Sequence, residues 1–162
     1  VLNVWTDGSI TGGAWGKKSE APSLPHAWSA WYALDEAGRL VHHHSVDLGE
    51  NPTFSGNVAE YFAVRSALHW LQKEYRHHVL KIHSDSQLIV NQLSGNFNVH
   101  NERLKLFRDA CWHLAKKFPR VSYEWIRREK NTVADQLSKC LQQQYGARPL
   151  TSSEVEALLA AQ

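Results

Sequence analysis

What the sequence lacks narrows its class before any motif is considered. It contains no methionine, not even at position 1, which points to a trimmed start or an excised segment. Its two cysteines, Cys111 and Cys140, lie in helical-looking stretches and share no CxxC spacing. A disulfide framework and a zinc site are therefore not expected, and a reducing, cytoplasmic setting is the default. Apolar runs are short and no basic start leads into one, so neither a membrane span nor a secretory signal is expected. A dominant charge is also missing: the formal net charge is +2, whereas domains that announce nucleic-acid binding by charge alone usually have an isoelectric point above about 9. Any such role must rest on where the charges sit. No internal repeat is visible.

The 162 residues, 43% of them hydrophobic and 21% charged, suit one compact domain with a buried core. We expect a monomer with a main domain over residues 1–145 and an extension with a short helix over residues 146–162. Residues 2–6 are rich in β-branched and aromatic side chains and run into Asp7-Gly8, which predicts a strand ending at Asp7. Glycines and prolines make 10–26 a loop, and runs 27–34 and 39–49 around the turn 35–38 predict a hairpin. Val58, Phe62, Leu68 and Leu71 recur at helical spacing after Ser55 or Asn57 as N-cap, and this places Glu60 in the first turn or two. A short strand over 79–84 ends at Asp85, with a short helix over 86–93 after it. Asn101 caps a long amphipathic helix that Pro119 stops after Phe118. A last strand over 121–126, a loop, and a helix over 132–144 carrying Asp135 near its start complete a β-β-β-α-β-α-α-β-α order. At the end, Thr151 with Glu154 or Ser153 with Glu156 predicts a capping box. That helix either packs on the domain, docks a partner or stays flexible.

Asp7 and Asp85 both terminate predicted strands, while Glu60 and Asp135 lie near helix starts. Open α/β sheets bind ligands at the carboxyl ends of strands, so four carboxylates can share one rim. Two such charges about 4 Å apart repel by about 4 kcal/mol at an effective dielectric near 20, and a divalent cation removes that conflict. Oxygen ligands suit Mg²⁺ or Mn²⁺ rather than zinc. Taken singly, each acid has a simpler explanation as a turn former or a partner of the helix dipole. Their neighbours change that assessment.

The segments TDGS (6–9), AEYFAVRSAL (59–68), HSDSQLIVNQL (83–93) and NTVADQLSK (131–139) resemble, in order and spacing, the motif set of type 1 ribonuclease H. The resemblance spans roughly residues 2–145. It implies the ribonuclease H-like α/β fold, a five-stranded mixed sheet flanked by helices. It also implies that Asp7, Glu60, Asp85 and Asp135 hold two Mg²⁺ ions, with Mn²⁺ as a substitute, and cleave the RNA strand of RNA/DNA hybrids to 3′-hydroxyl and 5′-phosphate ends. Gly8 and Ser9 match positions where main chain approaches RNA, and Asn57 and Gln87 match readers of the minor groove and 2′-hydroxyls. Ser55 and Asn101 match groups that grip a DNA phosphate, with N-capping as the competing explanation for each.

The run WIRREKNTVAD (125–135) is closer to the archaeal-like branch than to the best-known bacterial one. Where the bacterial branch has a histidine in the loop before its last acid, this chain has Arg127, Arg128, Glu129 and Lys130, and Arg128 or Glu129 is the candidate substitute. The basic handle helix is missing as well, because residues 93–101 join two helices directly. In the long loop, Trp15, Lys17 and Lys18 offer stacking and phosphate attraction, against a solvated insertion as the simpler account.

The consecutive His42, His43 and His44 alternate across a strand and suit a half-exposed surface better than a metal site. Trp28, Trp31, Trp70, Trp112 and Trp125 sit in periodic elements and are expected in the core. Lys116, Lys117, Arg120, Arg127 and Arg128 are the better candidates for contact with a nucleic-acid backbone, against surface solvation as the simpler account. Two competing readings remain. A DNA nuclease or transposase on the same fold usually carries Asp-x-Glu on the first strand, but position 9 is Ser. A non-catalytic hybrid-binding module would be expected to have lost an acid.

Overall fold

The computed structural model describes residues 1–12 and 23–162. The chain runs β1 (Leu2–Thr11), β2 (His26–Leu34), β3 (Leu40–Glu50), α1 (Gly56–Tyr75), β4 (Leu80–Ser84), α2 (Gln87–Leu93), α3 (Glu102–Ala115), β5 (Val121–Trp125), α4 (Thr132–Lys139) and α5 (Ser152–Ala160). Short 3-10 turns at Arg128–Lys130 and Gln143–Tyr145 flank α4. The five strands lie in the order β3-β2-β1-β4-β5. β1, β2 and β3 pair antiparallel, whereas β4 pairs parallel with both β1 and β5. This is the mixed sheet and element order expected, with α5 added.

Strand alternation gives the sheet two apolar faces. Leu2 and Val4 of β1 and Trp31 and Ala33 of β2 turn toward Leu68 and Leu71 of α1 and Leu104 and Cys111 of α3. Ala30 and Tyr32 turn the other way, toward Val133, Ala134 and Leu137 of α4 and Val155 of α5. β2 is thus buried on both sides, which is why it reads as a nearly unbroken apolar run. Small residues let α1 lie close to the sheet. Ala59, Ala63 and Ala67 are fully buried, and Ser29 Oγ donates to the Ala59 carbonyl at 2.7 Å. α5 packs on the domain through fully buried Val155, starting from the capping box formed by Thr151 and Glu154.

The structure corrects several sequence expectations. β1 does not stop at Asp7; its pairing with β2 carries it on to Thr11. α3 ends at Ala115 rather than Phe118, because the residue before Pro119 is biased away from helix and the chain tightens, with the Phe118 amide bonded to the Ala115 carbonyl at 3.1 Å. α4 ends at Lys139, five residues early, since Gln142 turns inward to donate to Ser9 Oγ at 3.2 Å. The chain then reverses through Gly146 at φ 101°. Trp28 and Trp31 are core residues, but Trp70, Trp112 and Trp125 are 42%, 37% and 41% exposed. Trp112 and Trp125 are held at the surface by their indole N–H groups, which donate to the Leu93 and Asp85 carbonyls at 2.9 and 3.1 Å. His42, His43 and His44 are half-buried on edge strand β3, as expected, with His42 stacked on Trp70. Trp15, Lys17 and Lys18 lie outside the described residues.

Candidate metal centre and nucleic-acid face

Three of the four acids converge. Carboxylate oxygens of Asp7, Glu60 and Asp85 all lie within 4.8 Å of one another. Strand register explains two of them. The parallel pairing of β1 with β4 runs from Leu2 opposite Leu80 to Trp5 opposite His83, and continuing it would set Asp7 opposite Asp85. There β4 ends while β1 goes on beside β2, so both acids meet at the carboxyl end of the parallel strands. Glu60 arrives from the second turn of α1, and Gly8 lets it come so near. A Cβ on Gly8 would stand 2.4 Å from the Ala59 carbonyl carbon and 2.5 Å from the Glu60 nitrogen. Only a glycine fits between β1 and this turn of α1.

Asp7 is 4% exposed and Glu60 9%. Burial, followed by the charge of Asp85, pushes the Asp7 carboxyl up to about 7, with the Ser138 hydroxyl opposing the rise. Glu60 is raised well above the carboxylate range, by burial first and then by Asp7 and Asp85; the Gly8 amide opposes it. Glu60 Oε2 is buried with no hydrogen-bond partner among the described residues. A crowded, protonation-prone cluster with an unpartnered buried oxygen has the donor chemistry of a divalent cation site, and all its donors are hard oxygens. The cluster is compatible with divalent metal binding.

Asp135 stands outside that trio. It is the fourth residue of α4, and its Oδ2 accepts from Lys139 Nζ at 3.1 Å. α4 is nevertheless bound tightly to the site. Ser138 Oγ donates to Asp7 Oδ2 at 2.9 Å, and Asn131 Nδ2 donates to the Thr6 carbonyl at 3.0 Å and faces Asp85 Oδ2 at 3.3 Å. Trp125 holds the Asp85 main chain from β5. Sequence reasoning missed Ser138, Asn131, Trp125 and Lys139. A signal existed for Ser138, a hydroxyl beside Leu137 on the buried side of a short helix. Asn131 reads as an N-cap, yet its side chain makes no capping bond.

The residues expected to touch nucleic acid are more scattered in their present roles. Ser9 donates to the Ser138 carbonyl at 3.1 Å. Ser55 caps α1 by accepting from the Val58 amide, and Asn101 caps α3 by accepting from the Arg103 and Leu104 amides. Arg103 reaches back to the Thr53 carbonyl at 3.0 Å, which ties these two helix starts together. Gln87 is exposed at the start of α2 and Asn57 is half-buried in the first turn of α1. Arg128 is exposed, as are Lys116, Lys117, Arg120 and Arg127. No helix lies between α2 and α3, so the handle helix is absent from the described residues. Nor is any helix among them long and apolar enough to cross a membrane.

Residues 23–140 match the model of the reverse transcriptase-like family. The chain is 47% identical over 55 residues to the bifunctional protein Rv2228c of Mycobacterium tuberculosis, a match covering 33% of this chain and 15% of that protein. It therefore aligns with only a small part of that relative. Among solved structures, LC11-RNase H1 in complex with an RNA/DNA hybrid is similar at a TM-score of 0.70 and 30% identity, over 85% of this chain and 93% of that one. RNase H1 of the halophilic archaeon Halobacterium salinarum NRC-1 has the same fold at a TM-score of 0.72 and 22% identity, over 86% and 95% of the two chains.

Proposed function

We propose, on the premise that the chain belongs to the reverse transcriptase-like family and within it to the type 1 ribonucleases H, that it hydrolyses the RNA strand of RNA/DNA hybrids endonucleolytically, leaving 3′-hydroxyl and 5′-phosphate ends. The observation that carries this reading is the convergence of Asp7 on β1, Glu60 on α1 and Asp85 just after β4. Asp7, Glu60 and Asp85, with Asp135 completing the set, would hold two Mg²⁺ ions, or Mn²⁺ in their place. Such ions supply an activated water and support for the leaving oxygen in phosphodiester displacement. The protein's own residues fix the frame: Ser138 orients the Asp7 carboxylate, and Asn131 and Trp125 secure Asp85 from either side. A frame built from two strands and two helices keeps the carboxylates in place without reorganisation during the reaction.

The hybrid is held by small polar groups. Gly8, Ser9, Asn57 and Gln87 face the RNA strand, where 2′-hydroxyl contacts separate RNA from DNA. Ser55 and Asn101, on helix starts joined through Arg103, take a phosphate of the DNA strand. Arg128 takes the place of the missing loop histidine near the scissile phosphate. A cytoplasmic monomer is part of this reading, in keeping with two buried free cysteines.

The test is a panel of end-labelled substrates with Mg²⁺: RNA/DNA hybrid, duplex RNA, duplex DNA and single strands. The expected result is internal cleavage of RNA in the hybrid alone, with products that a 5′-phosphate-dependent exonuclease degrades. Equal cutting of duplex DNA would refute the substrate assignment, and no cleavage of any substrate by folded protein would refute the activity.

A further inference from the structure

Asp135 and Lys139 sit one turn apart on α4, and their side chains meet at 3.1 Å with the acid placed N-terminal to the base, the favourable order along a helix. The pair is not free to drift from the trio. Ser138, between the two residues, is bonded to Asp7, and Asn131 at the helix start reaches Asp85. Lys139 is attracted to Asp7 as well as to Asp135, and its ammonium lies 5.9 Å from the centre of the Tyr145 ring. Among the described residues, no other cationic side chain is hydrogen-bonded to any of the four acids. The side chains of Lys139 and Asp135 are 36% and 38% exposed, so solvent screens the pair and it can open readily.

We propose that Lys139 is a built-in competitor for the second divalent cation: its ammonium occupies Asp135 and leaves the Asp7, Glu60 and Asp85 trio as the one strong metal position. This rests on the functional reading above. An ammonium neutralises a carboxylate but is a donor only, with no open coordination position for water or phosphate. It balances charge at this corner without supplying the ion's chemistry. Binding of the second ion therefore includes breaking the Lys139–Asp135 pair. A phosphodiester brought in by the substrate adds negative charge and favours that exchange.

Calorimetric titration with Mn²⁺ alone tests the proposal without any turnover. Wild type should show one strong binding event and one weak one. Lys139→Met, which keeps the aliphatic stem and loses the charge, should tighten the weak event about threefold to tenfold while leaving the strong one in place. Lys139→Arg should match wild type, and Asp135→Asn should remove the weak event in either background. Melting curves confirm that each variant is folded. Identical isotherms for wild type and folded Lys139→Met would overturn the proposal, as would equal tightening of both events. Complete absence of Mn²⁺ binding in wild type would instead overturn the functional reading on which the proposal stands.

Discussion

Asp7 and Asp135 are the same side chain in opposite settings. Asp7 is buried beside Glu60 and Asp85, with no cationic side chain hydrogen-bonded to it among the described residues, and is pushed toward its protonated form. Asp135 is 38% exposed and already has a cation of its own in Lys139. The contrast teaches that this rim is not four equivalent ligands. One part is a buried cluster of crowded carboxylates that a divalent ion would relieve; the other is a solvent-screened corner whose charge is already balanced by Lys139. The first part is made by strand register and a glycine contact, the second by one turn of a short helix.

Substitutions can break this contrast. The largest effect is expected from Asp85→Asn, which should lower hybrid cleavage on the order of a thousandfold or more, while Asp135→Asn, at the compensated corner, should lower it by less. Single-turnover assays at saturating Mg²⁺ check the ranking, and equal losses would show the two regions to be alike. Gly8→Ala comes next. Its new methyl meets backbone rather than a movable side chain, so α1 must lift from β1, at a cost of about 3 kcal/mol in denaturant unfolding. Ser138→Ala, which removes the hydroxyl donated to Asp7, should weaken Mn²⁺ binding about tenfold.

The smallest effect concerns pH in metal-free buffer. Asp7 is raised in the folded protein from an ordinary 3.8 to about 7, so the folded state holds a proton that the unfolded chain releases. The resulting stabilisation is complete below about pH 4 and lost as pH rises through about 7. Asp7→Asn cannot undergo that loss. Its melting temperature should therefore gain on wild type across this window. A difference that stays constant with pH would remove Asp7 as the source.

Much of this was legible from residue patterns because it depends on short-range rules. Alternation in β2, helical spacing in α1 and the Thr151–Glu154 box each announce one local structure, and the order of four short motifs singles out four acids, three of which the structure brings together. What was hidden depends on pairs far apart in sequence. Nothing near Asp7 says that β1 continues to Thr11; the partner strand at residues 26–34 decides that. Nothing near Gly8 says that α1 presses on it. Trp125 has the hydrophobicity of a core residue, but the Asp85 carbonyl holds it at the surface. Asp135 groups with the other acids through the order of its motif, and its ion pair with Lys139, one turn on, is a contact that the sequence does not single out.

The most direct test of the central claim is a crystal of the protein soaked in Mn²⁺, with the ion located by its anomalous scattering. A peak is expected among the carboxylates of Asp7, Glu60 and Asp85, strong at low Mn²⁺, with any second peak beside Asp135 weaker. A protein that cuts hybrid in Mn²⁺ but shows the ion bound elsewhere, with the three acids metal-free, would contradict it.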